Sequence, residues 1–210
     1  MNTSQLINAL SLDSGRPPFL GRSWSVTVGL GFMAAVLLMA VTLEPRPDLM
    51  QVAMTWRFLA KLALGMSLAG VSLAMARQVS RPEMSSVPFW LGAIPLAVMC
   101  QASLAELILV PASEWLPRMI GSNALWCFSY IPILSLPPLA ITLGTMRYGA
   151  TTNPGMAGAI AGLFSGALGA TAYALHCDDD SPFFVALWYS IGIACVCAIG
   201  SLVARRVLRW

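Results

Sequence analysis

Charge is what this chain has least of. Acidic and basic side chains make up 10% of its 210 residues, against about a quarter in a soluble domain. It has one histidine and five cysteines, an odd number that fits no secreted disulfide framework. No CxxC pair, phosphate loop, zinc-protease helix or nucleophile elbow is present, so no familiar catalytic motif points to an enzyme. No cleavable leader is apparent either. The first apolar run begins near Trp24 and is long enough to stay as an anchor.

Apolar surface is there in excess. Hydrophobic residues reach 58% and the mean hydropathy is +0.75. A spanning helix takes about 20 residues, so six spans with short loops use nearly the whole chain. The expected fold is all-α, an integral membrane bundle of six transmembrane helices in the lipid bilayer. A polar segment, 1–22, precedes a transmembrane domain, 23–210. The spans fall near Trp24–Leu43, Phe58–Ala76, Val87–Ile108, Leu125–Met146, Gly155–Leu175 and Phe183–Ala204. Pro95 should bend the third, and Pro132 with Pro137-Pro138 should kink the fourth. In the fifth, Gly158, Gly162 and Gly166 recur every fourth residue, a stripe that lets another helix approach closely.

Six spans put both termini on one side. With them lie Arg16, Arg22, Arg77, Arg81, Arg147, Arg205, Arg206 and Arg209, whereas the other side holds only Arg46, Arg57, Lys61 and Arg118. The excess of positive charge predicts cytoplasmic termini.

The densest polar cluster is then outside: Leu175-His176-Cys177-Asp178-Asp179-Asp180-Ser181-Pro182, between the last two spans. Such a cluster is tolerated where it meets water or protein, not lipid. Helix rise places Cys127 and Cys177 at similar height near that surface. Two readings stay open, a reversible thiol pair in an oxidising compartment or two packing residues. Cys100, Cys195 and Cys197 fall nearer mid-membrane and are expected to pack. The Asp178, Asp179 and Asp180 carboxylates should raise the Cys177 pKa, and a protonated His176 should lower it. His176 and Cys177 are also candidate ligands for a soft or borderline metal. Ser181 is placed to cap a helix that starts at Pro182. Lys61, one turn inside the second span, is expected to snorkel outward or to pair with Glu106. In the polar segment, Ser4 can cap a short helix whose Leu6, Ile7 and Leu10 share one face, ending near Asp13.

Thr3-x-x-Leu6-Ile7-x-x-Leu10…Asp13 with Arg16-Pro17, six spans, and Leu175-His176-Cys177…Asp180-Ser181-Pro182-Phe183…Val185…Trp188-Tyr189 together resemble the NrsF family of bacterial membrane anti-sigma factors. The resemblance covers essentially the whole chain. It implies a multi-pass protein of the bacterial inner (cytoplasmic) membrane whose partner is an extracytoplasmic-function (ECF) sigma factor, with no cofactor and no direct nucleic-acid contact. Leu6, Ile7, Leu10 and Asp13 would bind the sigma factor. Oxidant or heavy-metal stress, detected at Cys127 and Cys177, would release it, through a shift of the fourth and fifth helices. A small transporter and a membrane thiol oxidoreductase remain the alternatives; oligomeric state is not legible.

Overall fold

A computed structural model describes residues 2–5, 7, 19–81 and 89–208 of the chain. Among the described residues there are helices and no strands, and six helices are long and apolar enough to cross a membrane. They are α1 (Phe19–Thr42), α2 (Trp56–Val79), α3 (Ala93–Leu109), α4 (Ala124–Met146), α5 (Pro154–Tyr173) and α6 (Pro182–Val207). Each is apolar almost all round, as a helix must be when lipid covers one side and protein the other. Large apolar side chains such as Val41, Ile108 and Leu125 point outward and are exposed.

α5 is the axle. Of its apolar window 83% is buried, against 22% for α1 and 17% for the span that contains α3. Small side chains make this closeness feasible. A methyl group added at Gly158 would strike the Gly200 carbonyl and Ala204 of α6, and one at Gly162 would strike Val196 and Cys197. Gly169 seats Ser135 of α4 in the same way, and Gly65 of α2 seats Thr171. The glycine stripe therefore does what its spacing predicts, with α6 as the partner.

Proline is accommodated in two ways. α4 runs as one helix through Pro132, Pro137 and Pro138. The Ser135 and Thr142 hydroxyls donate to the Ile131 and Pro138 carbonyls, four residues back. These are ordinary back-bonds to carbonyls that also face an amide; the carbonyls that lose a donor to the prolines are those of Phe128, Ile133 and Leu134. In the third span a 3-10 turn, Phe89–Gly92, leads into α3 at Ala93. Pro95 thus falls in the first turn of α3, where its lost donor costs little.

In the polar segment residues 3–5 and 7 are helical, and the Asn2 amide donates to the Gln5 side chain. The helix therefore begins at Thr3, with Ser4 inside it and not at its cap. Ile7 is 60% exposed; Leu6, Leu10 and Asp13 lie outside the described residues.

Candidate functional site

The loop between α5 and α6 ties the ends of the other helices together. Asp179 reaches α4: its carboxylate accepts from the backbone amides of Ser122 (2.9 Å) and Asn123 (2.8 Å), the Ser122 hydroxyl (3.2 Å) and the Asn123 side chain (3.1 Å). The Asn123 side chain also donates to Asp178. Those amides stand just ahead of α4, where a helix favours negative charge. The Cys127 amide donates to the Asn123 carbonyl at 2.8 Å. The loop that carries Cys177 thus grips the first turn of the helix that carries Cys127.

The two sulfurs lie 4.0 Å apart, with Cys127 0% and Cys177 1% exposed. Both are free thiols. Met39, Tyr173, Phe184 and Tyr189 wall them in. The Tyr173 and Tyr189 rings stand 6.1 Å apart, and among the described residues their buried hydroxyls have no hydrogen-bond partner.

Asp180 meets two cations, Lys61 Nζ at 3.0 Å and Arg46 Nη1 at 2.6 Å. Lys61, only 4% exposed, gives its other protons to the carbonyls of Cys177 and Asp179, each at 3.0 Å. A buried ammonium with all three donors used is the arrangement that offsets its desolvation. Arg46 also donates to the Cys177 carbonyl at 3.3 Å and grips Asp48 through Nε and Nη2. That grip on Asp48, above all, raises the arginine pKa against the cost of burial. On the third side, Glu106 of α3 is wholly buried. It accepts from Arg57 Nε at 2.9 Å, Arg118 Nη1 at 3.3 Å and the Ser181 hydroxyl at 3.4 Å.

Several expectations are corrected here. Lys61 neither snorkels to water nor pairs with Glu106; its partner is Asp180. Ser181 does precede the helix at Pro182, but its side chain makes no cap bond. The hydroxyl is turned to Glu106 instead. The aspartates do not dominate the Cys177 thiol. Its pKa is lowered to about 7, first by the hydrogen bond from Cys127 and, against burial, by the charge of Lys61. His176 is not among the causes: its Nδ1 sits 2.6 Å from the Glu44 carbonyl. Among the described residues no group of three or more His, Cys, Asp or Glu side chains is placed to hold a metal ion. Cys100 is exposed on its helix, not packed.

Sequence reasoning missed Arg46, Asn123, Tyr173 and Tyr189. Arg46 and Asn123 had a usable signal, since each is polar and stands within four residues of an apolar span. The first residues of α6 stood in the family motif, Pro182-Phe183…Val185…Trp188-Tyr189, but nothing in it signals an irregular turn. Val185–Tyr189 form a π-turn, a helix irregularity common at functional sites. It accompanies Tyr189 buried beside the thiols and Trp188 donating to the Met119 carbonyl at 3.1 Å. Gly121 has φ +63°, and a side chain there would strike Phe184 and Asp179. Over the loop lies an open cleft of about 790 Å³, between Arg57 and Arg118 on one wall and Asp178–Ser181 on the other.

Fold and site define a class first: a helical protein with six helices able to span a membrane and two thiols in contact beneath a charged loop. The chain belongs to the NrsF family, described as negative regulator of sigma F, which matches residues 9–210. It is 37% identical over 215 residues, the whole of both chains, to the Caulobacter vibrioides protein named anti-sigma-F factor NrsF. Identity is 32% over 214 residues, again the whole of both, to a probable anti-sigma-F factor NrsF of Azospira oryzae. The family is regulatory and not enzymatic, which removes the thiol oxidoreductase alternative. No solved structure matches.

Proposed function

We propose that this protein is an inner-membrane anti-sigma factor that sequesters an ECF sigma factor and releases it when the thiol pair is oxidised or takes up a thiophilic metal. The observation that carries the sensing half is the 4.0 Å contact of Cys127 and Cys177, at the end of the bundle away from both termini. The names of the two relatives support the sigma-factor half. The arginine distribution supports cytoplasmic termini, with the thiols facing the oxidising side.

The chemistry balances simply. Cys177, the thiol with the lowered pKa, supplies the attacking thiolate. In forming a disulfide the two thiols give up two protons and two electrons to hydrogen peroxide, whose O–O bond breaks to leave two waters. On the cytoplasmic side Leu6, Ile7, Leu10 and Asp13 offer the sigma factor one face of a helix. A helix of about ten residues is marginal alone in water, so it folds as it binds. Release needs only a few kcal/mol of differential stability between the two thiol states.

The test substitutes Cys127 and Cys177 separately with serine and reads sigma-dependent reporter output under peroxide. Each variant should lose induction while keeping repression. Full induction in both would remove the thiols from the mechanism. Deleting residues 1–22 should abolish co-purification of a sigma subunit with the tagged chain.

A further inference from the structure

We infer that the state of the thiol pair is read out by α1, through a seam formed by Glu44, Arg46 and His176. This deepens the sensing role proposed above and rests on it. Three bonds make the seam. The Arg46 amide donates to the Leu175 carbonyl at 3.1 Å, and the Arg46 side chain to the Cys177 carbonyl at 3.3 Å. His176 Nδ1 lies 2.6 Å from the Glu44 carbonyl. A carbonyl only accepts, so that nitrogen carries the proton. One side of the seam is the residues flanking Cys177; the other begins two residues after α1 ends at Thr42.

α1 is a rod with the right connections. Its 24 residues extend about 36 Å, and its far end leads directly into the segment proposed to hold the sigma factor. It also sits more loosely than its neighbours. Its apolar window is 22% buried, against 83% for α5, whose glycines press against backbone and side chains of α4 and α6 and whose Thr171 meets Gly65 of α2. α5 therefore cannot slide without clashes. α3 is still less buried, but Glu106 pins it and it leads nowhere near the N-terminus in sequence.

The seam and the thiols share one group, the Cys177 peptide. A disulfide needs sulfurs about 2.05 Å apart, so forming it draws the two together by about 2 Å from their 4.0 Å contact. The Cys177 carbonyl is held at 3.0 Å by Lys61 and at 3.3 Å by Arg46. Where the Cys177 peptide follows its sulfur by even part of that distance, the 3.3 Å bond from Arg46 is the first to leave hydrogen-bond range. Oxidation thus loosens the anchor of α1, whose other end is seated by Trp24 in the core and by the 2.6 Å contact of Thr27 with Thr145. Arg46 and His176 act here as positioning residues.

Hydrogen exchange read by mass spectrometry tests this on the full chain in phosphatidylethanolamine–phosphatidylglycerol nanodiscs. The informative amides are those of residues 19–27, at the end of α1 remote from the seam, because a merely local role for Arg46 would not move them. Reduced Arg46→Gln, and wild type after hydrogen peroxide, should each exchange there about fivefold faster or more, with α5 unchanged. If Arg46→Gln also opens α5, His176→Ala, which removes no buried charge, carries the test with the same expected rise. Far-end exchange unchanged in the variant that keeps α5 protected overturns the seam. A disulfide confirmed by peptide mass with α1 unchanged overturns it too. Thiols inert to peroxide, with the variants still loosening the far end, would instead sink the sensing role and leave the seam standing.

Discussion

The bundle is joined in two different ways at two places along α5. Along its length, Gly158, Gly162 and Gly169 let neighbouring helices touch it through backbone and small side chains. Beyond its end, the 174–181 loop reaches α2, the end of α1 and the start of α4 through buried charge, with Lys61, Arg46 and the Asn123 region as partners. Close packing has a single minimum and resists displacement. A set of hydrogen bonds near 3 Å is lost one at a time, over a movement of an ångström or two. The first kind of join suits a fixed scaffold and the second suits a switch, and this protein places its thiols in the second.

The sharpest way to break that contrast is at the glycine seam. Gly162→Leu forces a side chain into Val196 and Cys197 and should cost more than about 3 kcal/mol. The expected result is loss of the protein from the membrane fraction, whatever the state of the thiols. Lys61→Met comes next. It leaves Asp180 and the Cys177 carbonyl with Arg46 alone and the Asp179 carbonyl with only the Cys177 thiol, at a cost of about 2–4 kcal/mol. Thermal unfolding in detergent should fall accordingly, and a variant as stable as wild type would show that the charged loop contributes nothing to the fold.

Asp179→Asn is milder and more specific. Losing the carboxylate ahead of α4 should cost about 1 kcal/mol, and the freed loop should let Cys177 drift from Cys127. Peroxide-driven disulfide formation should slow several-fold; an unchanged rate would mean that something other than Asp179 sets the sulfur separation. At the small end, a methyl group added at Gly70 would meet nothing within 4 Å. Gly70→Ala should be neutral or stabilising by up to about 1 kcal/mol. A large loss there would show that glycine matters in these helices for reasons other than contact.

Legibility followed the same division. Six spans, the packing role of the Gly158–Gly162–Gly166 stripe and the nearness of Cys127 to Cys177 could all be read from spacing, because helix rise and period turn sequence distance into height and face. The partners of charged groups could not. Lys61 stood near Glu106 in any diagram of spans, yet it turns to Asp180, because Arg57 and Arg118 already occupy Glu106. Ser181 had every mark of a cap, yet its hydroxyl goes to that same carboxylate.

What the sequence determined by itself was the solvent and the skeleton: a chain this short of charge, with continuous apolar runs of about 20 residues, satisfies its backbone in helices, and the number of runs sets how many. Tertiary structure alone decided which cation meets which carboxylate, that Arg46 and Lys61 converge on the carbonyl of a cysteine, and that α1 is mostly exposed while α5 is buried. The reason is physical. Hydrophobic burial depends on pattern and is nearly indifferent to partner, whereas a hydrogen bond depends on where two atoms end up, to within about half an ångström.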